Sequence, residues 1–414
     1  LKVAFGERGN EKDPIEFYRF LTDLLLNLVV EQLKSAEIQK LLRDKDKFDL
    51  LFVESWIRSA IAYSHVFKAP IIEISSMGGI LFAYDAIGAA SHPLIYPDAF
   101  HKRIYNLTLW DKITELYFHY SSKYILEKHE QTENKILRSI LGTDMPDLHD
   151  LRQNVRMMFV NVHPIWDFNR PVPPNVLYLG SLHQNSQREL PEDLKLYLDS
   201  SKNGVIYVSF GTNVKPSMFL PETLKIFNDV FSQLPYDILW KWDNNELPGR
   251  PKNVKISKWL PQSTDEAITA GVPLIGIPVL ADQWFNVEQY VKFNIGKGLL
   301  TETLTKEQLT NAIKTVINNE SYRKNIAKLR SFMNDQPQSS LERAVWWTEH
   351  VLRHSDVEYR RTPAANIPWT EYYELKIVLL LLTALMTVLS VTVLVIRLIA
   401  SNVKYNLRFK IKRN

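Results

Sequence analysis

The sequence predicts an α/β protein with two parallel-sheet halves and a C-terminal membrane helix. Three observations support this fold class. The apolar runs FDLLFVE (48–54) and PIIEISS (70–76) enclose a helical pattern, and a second series of strands and helices begins at VIYVSFG (205–211). Strand, helix and strand at this spacing indicate a parallel sheet in each half. The third observation is an uncharged apolar stretch at 377–396.

Composition narrows the possible functions. The 414 residues suffice for two domains with cores of their own. Beyond Lys376 the chain has six basic and no acidic residues, and subtracting these six from the net charge of +4 leaves −2 for the rest. A nucleic-acid-binding protein carries its basic patch on the folded body, so we exclude nucleic acid as a partner. The absence of cysteine excludes disulfides, thiolate catalysis and cysteine-ligated zinc.

The N-terminal domain is predicted at residues 1–185. Apolar residues recur at helical spacing in 15–43, and long helical patterns occupy 100–141. The segment between the first two strands is predicted to be helical. Two further short strands are predicted, at 157–163 and 177–182. The polar, charged segment 186–204 resembles an interdomain linker.

The C-terminal domain is predicted at residues 205–358. Its strands are predicted at 205–211, 236–242, 254–259 and 273–278. Its helices are predicted at 221–234, 264–270, 283–293, 305–318, 321–333 and 339–353. Capping boxes, Thr305 with Gln308 and Ser339 with Glu342, fix the starts of two of these helices. Strands that alternate with helices predict a second parallel sheet.

The stretch 377–396 is long enough to span a hydrocarbon core of ~30 Å at about 1.5 Å per residue. Segment 359–376 is then juxtamembrane. Its aromatic residues form the belt expected at a membrane surface: Trp369, Tyr372 and Tyr373. The basic tail, 397–414, is predicted to face the cytosol, which places residues 1–375 on the lumenal side.

The chain end suggests the endoplasmic reticulum as the location. Lys410 and Lys412 are fifth and third from the end, a spacing that resembles the dilysine retrieval signal. Chance explains this spacing equally well among six basic residues. A lumenal body would allow glycosylation at Asn106 and Asn319, which begin permitted sequons, although sequons also occur by chance.

The candidate binding residues follow predicted strands of the C-terminal half. Ligands of open α/β sheets bind beyond the carboxyl ends of the strands. Asp282 and Gln283 follow the strand PLIGIP, and a carboxylate beside an amide suits a polyhydroxyl ligand such as a sugar. The alternative is structural, with Asp282 as the N-cap of the next helix.

Three further positions have a functional and a structural interpretation. Thr212, in FGT, could approach a diphosphate or belong to a plain turn. Glu266 completes a capping box with Ser263, or lies at a helix N-terminus that meets phosphate. Trp259 could stack on a base or belong to the core.

Taken together, these motifs resemble the UDP-glycosyltransferase family and look like its invertebrate members. WLPQ (259–262), the acidic position after it and the later Asp-Gln pair resemble the donor-binding signature. NGVIYVSFGT resembles the first strand of the family's C-terminal domain, and NDQPQSSLERAVWWTEHVLRH resembles its closing helix. The membrane helix with its basic tail resembles the family's anchor, so the resemblance covers nearly the whole chain.

The resemblance implies a GT-B fold, in which two Rossmann-like domains face each other and the C-terminal one binds the donor. It implies that Trp259 and Gln262 hold the uracil, Thr212 the phosphates and Glu266 the ribose. It also implies that Asp282 and Gln283 hold the sugar. The expected reaction is inverting transfer of glucose or glucuronic acid from UDP-sugar to a small lipophilic acceptor. UDP-sugar is a co-substrate, and neither cofactor nor metal is expected.

Two departures from the family pattern lead us to expect that the sequence is incomplete. It begins at Leu1 without a signal peptide, and the family's first strand and its histidine base would precede this point. The carboxylate that orients such a base corresponds to Glu54, whose structural alternative is a strand-end cap. At the join of Gln262 and Ser263, a helix, a strand and a glycine turn found in relatives are absent. This is a loss of roughly twenty residues, about one helix plus one strand.

Two alternatives to an active transferase remain. The first is a non-catalytic family member that associates with active relatives. The second, a single-pass receptor ectodomain, is disfavoured by the absence of cysteine and by the two α/β halves. Asp44-Lys45-Asp46 imitates an Asp-x-Asp metal site but precedes its strand, so we interpret it as a solvated turn and predict no metal site.

Overall fold

The computed structural model describes residues 14–44, 47–184, 190–260, 264–354 and 362–411. The chain forms two compact units, Leu1–Thr362 and Pro363–Asn414. The first contains both parallel-sheet halves, and the second contains the long C-terminal helix.

The N-terminal half is built on a four-stranded sheet in the order β1-β2-β3-β4. The strands are β1 (Leu51–Glu54), β2 (Ile71–Ser75), β3 (Val155–Val160) and β4 (Val176–Tyr178). The helices are α1 (Pro14–Lys34), α2 (Ala36–Asp44), α3 (Tyr63–Phe67), α4 (Leu81–Ile87), α5 (Leu109–Leu141) and α6 (Leu148–Leu151). Neighbouring strands are parallel, as predicted, and the central strands pair Ile72 with Met157, both fully buried. Helices on both sides explain why these strands are continuous apolar runs.

The C-terminal half contains a sheet in two pieces, ordered β5-β6-β7 and β8-β9. The strands are β5 (Val205–Val208), β6 (Asp237–Lys241), β7 (Val254–Ser257), β8 (Leu274–Gly276) and β9 (Gly296–Gly298). The helices are α7 (Glu192–Ser200), α8 (Pro221–Ser232), α9 (Thr264–Ala270), α10 (Gln283–Lys292), α11 (Lys306–Asn318), α12 (Glu320–Asn334) and α13 (Ser340–Arg353). All pairings are parallel, which confirms the predicted second set of parallel strands.

Two elements of this half differ from the sequence expectations. β9 is not predicted, because a glycine-rich strand of three residues has no apolar run. Glycine is required there, since a Cβ on Gly296 would lie 2.2 Å from the Leu274 carbonyl oxygen of β8. The predicted linker 186–204 contains helix α7, whose Tyr197 hydroxyl donates to the Ile238 carbonyl of β6 at 3.1 Å.

Helix α13 packs on the N-terminal sheet, although its sequence position places it in the predicted C-terminal domain. Ala344 and Val351 share a core cluster with the β2 and β3 residues Ile72 and Met157. The capping box at Ser339 is confirmed, as is the one at Thr305. The chain therefore returns to its N-terminal half before the first unit ends.

The two halves of the first unit also share a core around helix α10. Phe285 and Tyr290 of this helix form one cluster with Ile104 and Trp166 of the N-terminal half. Trp166 stacks on Phe293 with ring centroids 5.6 Å apart. The position of α10 is therefore set by both halves.

The second unit consists of α14 (Trp369–Tyr372) and α15 (Leu375–Ile411). Within the described residues, Leu375–Lys404 is one helix long and apolar enough to cross a membrane, with a mean hydropathy of 2.7. The predicted span 377–396 lies inside it. Lys412 of the dilysine pattern lies outside the described residues.

Candidate functional site

The predicted binding residues of the C-terminal half follow the ends of three of its strands. Thr212 follows β5, Trp259 follows β7, and Asp282 and Gln283 follow β8 at the start of α10. Because the strands within each sheet piece are parallel, these residues lie beyond carboxyl ends, where open α/β sheets bind ligands. Glu266 lies in the first turn of α9. Gln262 lies outside the described residues.

The side chain of Gln283 bridges the two pieces of the C-terminal sheet. Its Oε1 accepts hydrogen bonds from the backbone N–H groups of Val279 at 2.8 Å and Leu280 at 3.0 Å, in the loop after β8. Its Nε2 donates to the carbonyl of Phe210, just after β5, at 3.4 Å. The amide thus ties together the two backbone segments that border the site.

Asp282 occupies the N-cap position of α10, but its side chain makes no capping hydrogen bond. The carboxylate Oδ2 instead accepts from Asn286 Nδ2 at 2.9 Å. Burial raises the pKa of Asp282, and the Asn286 hydrogen bond opposes this rise. The Asp282 side chain therefore does not cap α10. Its carboxylate is a half-buried hydrogen-bond acceptor beside the site.

Thr212 lies beside a lysine that the sequence reasoning missed. Lys241, at the end of β6, places its Nζ 3.4 Å from Thr212 Oγ1. Gly211 has a φ of 84°, a left-handed conformation that favours glycine, and it turns the chain directly after β5. A hydroxyl and an ammonium group together suit an anion. Lys241 could have been identified from the sequence, because it is the last residue of the strand that follows the FGT turn along the chain.

Trp259 is 71% exposed, so the alternative that it belongs to the core is wrong. Ser257 at the end of β7 donates to the Trp259 carbonyl at 3.2 Å and fixes the backbone there. Because the side chain is exposed, the indole face is accessible to a flat ring.

Next to Glu266, which is half-buried, lies a second carboxylate, Asp265. Burial raises the pKa of Asp265 to about 6, and His183 of the N-terminal half opposes this rise. Sequence reasoning did not single out Asp265, because its burial arises from packing between the two halves.

Glu54 lies at the carboxyl end of β1, in the N-terminal sheet. Its Oε1 accepts from the Ser76 backbone N–H at 3.3 Å, just after β2. Burial raises the pKa of Glu54, and its hydrogen bonds oppose the rise. This contact agrees with the strand-end cap alternative and leaves the catalytic assignment a prediction.

Both predicted glycosylation sites are exposed at helix starts. Asn106 precedes α5, whose N-cap is Thr108 of the same sequon. Asn319 is itself the N-cap of α12, and its Oδ1 accepts from Ser321 N at 3.0 Å. The join of Gln262 and Ser263, and Lys45-Asp46 of the Asp-x-Asp pattern, lie outside the described residues.

Solved structures of glycosyltransferases share this fold. Os79 from O. sativa, solved in complex with UDP, superposes with a TM-score of 0.52 and 15% identity, covering 82% of this chain and 84% of that one. The glycotransferase of kitacinnamycin superposes with a TM-score of 0.52 and 16% identity over the same shares. The predicted GT-B fold with its two parallel-sheet halves is therefore confirmed, and the protein has the fold of a glycosyltransferase.

Sequence comparison identifies the family. Residues 10–412 match the family model described as "UDP-glucoronosyl and UDP-glucosyl transferase". The Ecdysteroid UDP-glucosyltransferase of Spodoptera littoralis nuclear polyhedrosis virus is 35% identical over 377 residues, 84% of this chain and 73% of the relative. UDP-glucosyltransferase 2 of Dactylopius coccus is 31% identical over 365 residues, 82% of this chain and 70% of the relative. The chain belongs to the UDP-glycosyltransferase family, as the sequence motifs indicated.

Proposed function

We propose that this chain transfers a hexose from a UDP-sugar to a hydroxyl group of a small lipophilic acceptor, with inversion at the anomeric carbon. Glucose is the preferred sugar, because the similar viral and insect proteins are named as glucosyltransferases, and glucuronic acid is the second candidate. The observation that carries the proposal is the arrangement of Thr212, Asp282 and Gln283 beyond the ends of β5 and β8.

The nucleotide is assigned to residues at or just after the ends of β5, β6 and β7. The exposed Trp259 indole would stack on the uracil, with Gln262 as its partner in the family pattern. Thr212 and the Lys241 ammonium, 3.4 Å apart, would bind the diphosphate. Glu266 would accept hydrogen bonds from the ribose hydroxyls.

The sugar is assigned mainly to Asp282. The Gln283 amide is engaged with three backbone groups, so its contribution would be to hold the loop after β8 in place. Asp282 uses Oδ2 for Asn286, and Oδ1 is the atom we assign to a sugar hydroxyl. A carboxylate acceptor makes stronger hydrogen bonds than a neutral one, which suits recognition of hydroxyl groups.

Glu54 is assigned to the acceptor side of the reaction. A carboxylate there would orient a histidine base and stabilise its imidazolium form while the acceptor hydroxyl loses its proton. Its position at the end of β1 supports this role, because the carboxyl edge of a parallel sheet is where ligands bind.

We further propose that turnover by this chain is low. β5 and β8 belong to separate pieces of the sheet, so the Gln283 hydrogen bonds and a shared apolar cluster, rather than a shared strand, join the two segments at the site. This division is also the observation that favours the second candidate function, a non-catalytic family member that associates with active relatives or with a second copy of the chain.

The proposed location is the membrane of the endoplasmic reticulum. The helix Leu375–Lys404 would be a single span, with the body lumenal and the basic tail cytosolic. Glycans at Asn106 and Asn319 would be consistent with a lumenal body, since both side chains are exposed.

A transfer assay tests the function directly. The purified full chain is incubated with labelled UDP-glucose or UDP-glucuronic acid and a panel of lipophilic alcohols. We expect slow formation of a β-linked glucoside by the unmodified chain. The rate should fall about tenfold in Asp282→Asn, because one strong contact to the sugar is lost. The matched control is Asp199→Asn, an exposed carboxylate on α7. Equal rates in both variants, or no transfer from either donor, would contradict the proposal.

A further inference from the structure

A chain of hydrogen bonds joins Asp282 to the N-terminal half. Asn286, one helical turn after Asp282, donates from Nδ2 to Asp282 Oδ2 at 2.9 Å. The same side chain accepts through Oδ1 from the indole Nε1 of Trp166 at 2.8 Å. Two hydrogen bonds therefore connect a carboxylate of the C-terminal half with a tryptophan of the other half.

The chemistry of the three groups fixes the orientation of the amide between them. An indole N–H can only donate a hydrogen bond, and an ionised carboxylate can only accept one. Asn286 satisfies both neighbours only when its oxygen faces Trp166 and its nitrogen faces Asp282. A flipped amide would place donor against donor and acceptor against acceptor, so Trp166 determines which group Asn286 presents to Asp282.

Trp166 is itself firmly held. Its side chain is only 4% exposed. Its carbonyl accepts from Gln289 Nε2 at 3.0 Å, and Gln289 Oε1 accepts from the Tyr105 hydroxyl at 2.7 Å. The indole is therefore a fixed donor, whereas an exposed side chain would have to be ordered on binding.

We propose that Trp166 and Asn286 are positioning residues that orient the Asp282 carboxylate for the donor sugar, so that sugar recognition in the C-terminal half depends on its contact with the N-terminal half. This inference rests on the proposed function, in which Asp282 binds the sugar. It predicts that loss of either residue weakens binding of UDP-sugar and leaves binding of UDP unchanged, because UDP has no group that reaches Asp282.

Calorimetric titration of the purified full chain with UDP-glucose and with UDP tests this. Trp166→Phe removes the indole N–H and keeps an aromatic ring, and Asn286→Ala removes the link. Ser340→Ala is the matched control, because it deletes another hydrogen bond to the N-terminal half, from the Ser340 hydroxyl to the Leu179 carbonyl at 2.6 Å, that involves none of Trp166, Asn286 and Asp282.

We expect the Kd for UDP-glucose to rise about tenfold in Trp166→Phe and in Asn286→Ala, as for the loss of one hydrogen bond. The double variant should be no weaker than Asn286→Ala, because both changes interrupt one chain. The Kd of the control variant for UDP-glucose should stay within about twofold of the value for the unmodified chain. The Kd of every variant for UDP should do the same.

Two results would overturn the inference while the proposed function stands. In one, binding of UDP and binding of UDP-glucose weaken together, which would show that Trp166 and Asn286 have a general structural role. In the other, Ser340→Ala weakens binding of UDP-glucose as much as Trp166→Phe does. If the unmodified chain binds neither ligand, the proposed function itself fails and this inference fails with it.

Discussion

The sheet of the N-terminal half and the sheet of the C-terminal half differ in continuity. In the first, β1 to β4 form one parallel sheet, and the central residues Ile72 and Met157 are fully buried. In the second, β5 to β7 form one piece and β8 and β9 another. β6 in the middle is well covered, with Trp240 fully buried, while Tyr207 on the edge strand β5 is 38% exposed.

The difference shows what holds each half together near its site. In the N-terminal half a continuous backbone ladder fixes the strand ends, and the buried Arg58–Glu133 ion pair joins helical segments outside the strands. In the C-terminal half the ends of β5 and β8 are connected through the Gln283 side chain, and α10 is additionally fixed by Trp166. Site geometry in the C-terminal half therefore depends on individual side chains, which single substitutions can remove.

The largest effect is expected in the N-terminal half. Arg58 donates from Nε and Nη2 to the two carboxylate oxygens of Glu133, both at 2.9 Å, and both side chains are buried. Glu133→Gln leaves Arg58 without its full counter-charge, so we expect a loss of about 3–5 kcal/mol in the free energy of unfolding. Urea denaturation monitored by hydrogen exchange in β1 and β2 measures it. Lys135→Gln, an exposed change on the same helix, should stay within about 0.5 kcal/mol.

The same pair predicts a pH dependence. Burial acts to raise the pKa of Glu133, but the Arg58 charge and the hydrogen bonds from His129 and Arg58 outweigh it and lower the pKa to about 2. A lowered carboxyl pKa stabilises the fold above the unfolded value of about 4.5, and this contribution is lost as the pH falls from there towards 2. Glu133 also raises the pKa of His129, so the comparison is made below roughly pH 5, where His129 is protonated with or without Glu133. In that range the stability difference between the unmodified chain and Glu133→Gln should shrink on further acidification. A difference that grows on acidification would contradict the assignment.

A smaller effect is expected in the two-stranded piece. Gly296→Ala would place a Cβ 2.2 Å from the Leu274 carbonyl oxygen, which forces β8 and β9 apart. Overpacking of this kind costs about 1–3 kcal/mol. Amide exchange in β8 and β9 should accelerate while exchange in β2 stays unchanged. Gly78→Ala is the control, because no atom lies within 4 Å of its added Cβ. Equal effects of the two substitutions would show that the small piece is not tightly paired.

The smallest effect on stability is expected from Gln283→Met, which retains the length of the side chain and removes its amide. We expect a loss of about 1–2 kcal/mol, since backbone groups of Val279 and Leu280 lose a partner in a half-buried loop. Exchange of the Val279 and Leu280 amides should accelerate most. Gln233→Met, an exposed change at the end of α8, should have no measurable effect. Unchanged exchange after Gln283→Met would show that other contacts bridge the two pieces.

Much of the fold could be predicted from local sequence patterns. Apolar runs identified most of the strands from β1 to β8, because buried parallel strands are apolar on both faces, whereas β7 (VKIS) alternates apolar and polar residues. β9 has no such run, since its glycines are needed for close approach to β8. The packing of α13 on the N-terminal sheet involves residues distant in sequence, so no local pattern reports it.

The candidate site was predicted less completely. Asp282 was identified from its place after a strand, but its hydrogen bond to Asn286 and the link to Trp166 depend on how the halves pack. Lys241 was missed for a similar reason, since only the pairing of β5 with β6 brings it beside Thr212. Roles that require a bound UDP-sugar stay predictions.

One measurement tests most directly whether the divided C-terminal sheet limits the reaction. UDP release from UDP-glucose, with a lipophilic alcohol as acceptor, is measured for the purified chain and for the same chain with a helix–strand segment of roughly twenty residues inserted between 262 and 263. We expect the inserted chain to turn over at least about tenfold faster, because a shared strand would fix the ends of β5 and β8 and lower the barrier. Equal rates with and without the insert would contradict this explanation.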